Sequence, residues 1–89
     1  MIRRHVVVHG FVQGVFFRET TRRRAESAGV SGWIRNRPDG AVEAVFEGEQ
    51  DAVARVLAFV EEGPRDAHVD RVEVTDEEPE GLADFSIRS

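Results

Sequence analysis

The sequence predicts an α+β fold in which two helices pack on one face of an antiparallel sheet. Three observations carry it. Apolar residues alternate with polar ones over residues 41–47 and 70–76, the period of a half-buried strand. They recur every three to four residues over 17–28 and 50–62, the period of an amphipathic helix. Glycine, proline and aspartate break the pattern between these segments, giving the order β-α-β-β-α-β with a short terminal strand.

Length and composition narrow the class. Eighty-nine residues at 10.0 kDa suit one domain spanning 1–89, with no room for a second core. There is no cysteine, so neither a disulfide nor a thiolate metal site staples the chain. No apolar run approaches the ~20 residues of a membrane span, and the N-terminal residues lack the apolar stretch of a signal peptide. A soluble, cytoplasmic protein is expected. Twelve basic residues against seventeen acidic ones leave a net charge of −5, which disfavours broad affinity for nucleic acid. Every basic residue is Arg, and without Lys there is no Schiff-base chemistry and no Walker-type phosphate loop.

Each element has a local reason. Residues 3–10 read as a strand whose Val6-Val7-Val8 run marks a central place in its sheet. Gly10 and Gly14 bracket a loop, and a helix starts near residues 15–17 and ends at Gly29. Phe17, Thr21, Ala25 and Ala28 form its narrow apolar stripe, with Glu19–Arg23 and Arg22–Glu26 as ion pairs one turn apart. Gly29 suits a left-handed closing residue, followed by apolar Val30. Residues 32–36 read as a strand, and Arg37-Pro38-Asp39-Gly40 as the turn of a hairpin into 41–47. There Val42, Ala44 and Phe46 face the core, leaving Glu43 and Glu47 on a wet face.

The second helix covers residues 50–62, with Val53, Val56, Leu57 and Val60 inward and Gly63-Pro64 as its stop. Val72 and Val74 point inward from the strand over 70–76, residues 77–81 form a solvated acidic loop, and Phe85 and Ile87 mark the last strand. Trp33 and the phenylalanines are expected in the core, with Phe16 free to line a pocket mouth instead. The whole is the split βαβ, ferredoxin-like arrangement, which hosts many unrelated functions.

The chemistry concentrates in residues 10–18. A glycine-bracketed loop running into a helix start presents unpaired N–H groups at the positive end of the helix dipole. Successive N–H groups from Gly14, Val15, Phe16 and Phe17 can form a concave nest around a phosphate. Arg18 opposes the dipole where it stands, which makes sense when a dianion lies between the two. On spacing alone, a plain glycine turn with a solvated arginine explains the same residues. His5, His9 and His68 lack metal-ligand spacing, and Arg22-Arg23-Arg24, interleaved with Glu19 and Glu26, reads as a solvated helix face.

The wording of two segments is more specific. His9-Gly10-Phe11-Val12-Gln13-Gly14-Val15-Phe16-Phe17-Arg18 closely resembles the first signature of the acylphosphatase family, usually read as G-x-V-Q-G-V-x-F-R. Residues 32–42, from Gly32-Trp33-Ile34-Arg35-Asn36 through Gly40-Ala41-Val42, resemble its second signature, and the resemblance covers essentially the whole chain. It implies an enzyme hydrolysing the carboxyl–phosphate anhydride of acyl phosphates without metal or cofactor. Matched by position, Gln13, Gly14, Val15, Phe16 and Phe17 form the phosphate-cradling loop. Arg18 becomes the phosphate-binding arginine and Asn36 the residue that orients the attacking water, although an Asn is also common where a hairpin begins. The expected partners are a small acyl phosphate and inorganic phosphate, as product and competitive inhibitor. No nucleic acid or membrane is expected, and the state is a monomer. Two alternatives are an acyl- or carbamoyl-phosphate-binding module without turnover and an RNA-binding domain of the same topology. The second needs exposed aromatics in a basic context on the central strands.

Overall fold

Alternation puts Val6 and Val8, Ile34, and Val42, Ala44 and Phe46 on one face of their strands, and all six are buried. The computed structural model describes residues 1–89, in the order β1 (Ile2–Phe11), α1 (Phe17–Ala28), β2 (Ser31–Asn36), β3 (Val42–Gly48), α2 (Gln50–Glu62), β4 (His68–Glu77) and β5 (Phe85–Arg88). The strands form one sheet in the order β4-β1-β3-β2-β5. Both helices lie on its apolar face, α1 over β2 and β5 and α2 chiefly over β1, β4 and β3. Phe17, Thr21 and Ala25 of α1 and Ala52, Val53, Val56 and Val60 of α2 are buried against it. Each fully buried Val or Phe in such a layer contributes about 1.5–3 kcal/mol.

The local signals behave as chemistry requires. Gly29 adopts φ 73°, and Val30 N–H donates to the Ala25 carbonyl at 2.8 Å, closing α1 in a left-handed turn. In the hairpin turn Asp39 Oδ1 accepts from Ala41 N–H at 3.1 Å, and this bond is the main reason its carboxyl titrates below the usual range. The α1 ion pairs Arg22–Glu26 (2.8 Å) and Arg23–Glu19 (3.4 Å) form on the solvent side.

Several expectations are overturned. The sheet is mixed, because β5 runs parallel to β2. The chain leaves β4 at one sheet edge, crosses to the other edge along the end where β1 begins, and can only turn back up beside β2. The face of β3 expected to be wet is not: Val45 and Glu47 are 0 % and 1 % exposed. Glu77 ends β4, and although residues 78–81 are an exposed loop as expected, Arg3 pairs with Glu77 at 2.8 Å and Glu80 at 3.3 Å and ties the segment down. Val74 lies on the β4 edge outside the core and is 46 % exposed. Phe11 and Phe16 are exposed, so the phenylalanine core reduces to Phe17, Phe46 and Phe85, with Phe59 at its margin. Trp33 is half-buried on the outer face, beneath the Arg88 guanidinium.

Candidate active site

The first signature begins where β1 leaves the sheet. A bulge between His9 and Gly10 bends the strand against β4. A Cβ on Gly10 would lie 2.1 Å from the His68 carbonyl oxygen, so only glycine permits this approach. Val12 is buried and anchors the next turn, which reverses through Phe16 at φ 60°, ψ 22° into α1. A bulky side chain in the left-handed region costs of order 1–3 kcal/mol, strain of the kind held at functional sites.

That turn leaves backbone donors free. No side chain caps α1, and none of the hydrogen bonds of turns, loops and caps is donated by residues 12–19. The N–H groups therefore stand at the positive end of the helix without a protein acceptor. Arg18 joins them from the first turn of α1. Arg22 and Arg23 pair with acids, whereas Arg18 forms no ion pair. Glu19 stands beside it, but the hydrogen bond from Arg22 holds its carboxyl below the usual range and engages its charge.

A cavity of about 340 Å³ brings Gly14, Phe16, Phe17 and Arg18 together with Asn36 from the end of β2 and Ile87 from β5. Asn36 Oδ1 is buried without a hydrogen-bond partner. An orphaned acceptor costs about 1–3 kcal/mol. Gln13 and Val15 do not line this cavity. The Gln13 side-chain amide instead donates to the Arg37 and Ala41 carbonyls at 2.8 and 2.9 Å, bracing the loop against the hairpin that follows Asn36. Val15 packs on the core and faces the space between the helices.

Arg35 points to the opposite sheet face. There its Nε donates to Glu43 Oε1 at 2.7 Å, and Glu43 Oε2 meets His5 Nε2 at 2.6 Å. Burial disfavours the Glu43 charge, but these bonds outweigh it and hold its carboxyl below the usual range. His9 pairs with Glu73 at 2.7 Å and His68 with Asp70 at 3.1 Å, so each histidine has a carboxylate partner. The Arg22-Arg23-Arg24 run divides: the first two pair with acids, and the Arg24 guanidinium lies 4.5 Å from the centroid of the Phe59 ring. Sequence reasoning missed the Gln13 brace and the presence of Ile87. Both depend on segments distant in sequence, and only the parallel pairing of β5 with β2 brings Ile87 beside Asn36.

Comparison with known proteins gives one answer. A family model described as Acylphosphatase matches residues 4–87. An acylphosphatase of Rubrobacter xylanophilus is 56 % identical over 87 residues, covering 97 % of this chain and 79 % of its own. One of Haloarcula marismortui is 52 % identical over 86 residues, covering 97 % and 94 %. The crystal structure of an acylphosphatase from Bacillus subtilis superposes with a TM-score of 0.96 at 34 % identity, with 100 % of both chains covered.

Proposed function

This chain belongs to the acylphosphatase family, hydrolases of the carboxyl–phosphate anhydride, and from that premise we propose how its residues divide the work. The N–H groups of Gly14, Phe16 and Phe17 and the Arg18 guanidinium hold the phosphoryl group. Asn36 aims the attacking water. One observation carries this reading: the unpaired Arg18, the uncapped helix start and Asn36, whose Oδ1 has no partner, line a single cavity.

The chemistry fits so small a set of groups. Phosphoryl transfer needs in-line geometry and charge stabilisation more than covalent catalysis. The leaving group is a carboxylate, which departs without a strong general acid. Arg18 and the loop donors stabilise charge on the equatorial oxygens, and the Asn36 carboxamide oxygen accepts a hydrogen bond from the water opposite the leaving oxygen. An amide is too weak a base to take the proton, which passes to a substrate phosphate oxygen or to solvent. The reading uses no metal or cofactor. Inorganic phosphate, as product, competes for the same donors. It also takes residues 1–89 as one catalytic domain acting as a cytoplasmic monomer, supported by a core of 15 buried residues closed within a single chain.

Mutation tests the assignment. Arg18→Ala and Asn36→Ala each lower kcat/KM for benzoyl phosphate by about 10²- to 10³-fold, in buffer containing EDTA, with an unchanged circular dichroism spectrum. Near-normal hydrolysis by either variant contradicts the role given to that residue.

A further inference from the structure

A carboxamide that aims a water molecule must itself be held. None of the hydrogen bonds made by side chains involves Asn36, and its Oδ1 is buried without a partner. Its orientation is therefore set by the side chains packed around it.

The last strand supplies that packing. β5 runs parallel to β2, with Gly32 opposite Phe85 and Ile34 opposite Ile87. Alternation then puts Gly32, Ile34 and Asn36 of β2 on the same sheet face as Phe85 and Ile87 of β5. Ile34 and Phe85 are buried in the core, which makes this the face covered by α1. The next residues on that face, Asn36 and Ile87, line one cavity together with Phe17 and Arg18. Ile87 is 38 % exposed, and it is the only side chain that β5 contributes to the cavity wall. It is the diagonal neighbour of Asn36 on the adjoining strand, so its branched side chain bounds the space beside the carboxamide.

We propose that Ile87 is a positioning residue and sets which nucleophile attacks. Its side chain fills the space beside the Asn36 carboxamide, holds that group to one water and leaves no room for a larger hydroxyl compound. The inference rests on the role given to Asn36 above. It goes further by making the exclusive use of water a property of the terminal strand. With a methyl group in place of the branched chain, methanol can compete. Its oxygen attacks phosphorus, the bond between phosphorus and the acyl oxygen breaks, and the carboxylate leaves. The hydroxyl proton passes to a phosphate oxygen or to solvent, and the product is methyl phosphate.

The test follows benzoyl phosphate in buffer containing methanol and reads the ratio of methyl phosphate to inorganic phosphate by ³¹P NMR, after subtraction of the enzyme-free reaction. Both products arise from one bound substrate, so partial unfolding of a variant does not move the ratio. In Ile87→Ala the ratio rises by about tenfold over the wild-type protein, as expected for the space left by missing methylene groups. Its kcat falls by about 3- to 10-fold with KM within about twofold, because the water is less well placed. Ile87→Val recovers most of both losses. A ratio unchanged in Ile87→Ala overturns the inference, even where kcat falls. Near-normal hydrolysis by Asn36→Ala overturns instead the role of Asn36 on which it stands.

Discussion

The two ends of the sheet each pair an arginine with a bent stretch of main chain, and they differ in whether the chain itself supplies an anion. At the end where β1 begins, the backbone N–H groups of Glu80, Gly81 and Leu82 converge at 2.8–3.1 Å on the Glu47 carboxylate, and Arg3 adds its guanidinium at 2.7 Å. At the end where β1 finishes, the N–H groups of the turn into α1 stand near Arg18 with no carboxylate of the chain to receive them. The first set closes the fold, tying the crossing segment to β3. The second has similar parts and no internal anion, and on the reading proposed above it receives the phosphoryl group. On that reading the comparison separates an anion site that serves stability from one that serves turnover, although both pair an arginine with a bent stretch of main chain.

Removing the internal anion gives the largest effect. Glu47→Ala takes the shared acceptor from the N–H groups of Glu80, Gly81 and Leu82 and one of three carboxylate partners from Arg3; it destabilises the fold by about 2–4 kcal/mol in urea titration, while the folded protein keeps its benzoyl phosphate turnover. A loss below about 1 kcal/mol would dissolve the contrast between the two ends. The same carboxylate has a pH signature. Burial opposes its charge, but the hydrogen bonds from Glu80, Arg3, Leu82 and Gly81 outweigh that and set its folded pKa below the ordinary Glu value. Its stabilisation is therefore complete above the unfolded value near 4.3 and is lost as pH falls through the lower folded one. Acid titration of Glu47→Gln should show a correspondingly shallower loss.

A smaller change at the open end sharpens the comparison. Gln13→Leu removes the two bonds that set the loop against the hairpin carrying Asn36. It lowers kcat by about 10- to 100-fold through misplacement of the water relative to the phosphoryl group, with a stability loss of only about 1–2 kcal/mol. A rise in KM with kcat intact would make Gln13 a ligand of the phosphoryl group rather than a brace.

What could be read from the sequence follows the range of the interactions. The period of Val53, Val56 and Val60 placed α2 at its observed bounds, Gln50–Glu62, because a helix is specified by neighbours three and four residues away. Gly29 and the Pro38-Asp39-Gly40 turn were legible for the same reason. Glu47 was not, since its partners Arg3 and Glu80 lie 44 and 33 residues distant and local alternation assigns a carboxylate to water. The parallel β5 escaped notice because its direction depends on the path of the crossing segment. At the site, Arg18 and Asn36 stood out by residue type within a motif. Gln13 was assigned to the phosphate-cradling loop, but its side-chain partners 24 and 28 residues away gave no local sign.

Titration of the ¹⁵N-labelled protein with inorganic phosphate, followed by amide resonances, tests the open end most directly. The largest shifts should fall on the N–H groups of residues 14–18 and saturate together, and Arg18→Ala should weaken the binding by at least about tenfold, as expected for loss of a charge-assisted pair. Shifts centred on residues 80–82, or a titration unaffected by Arg18→Ala, would contradict the account.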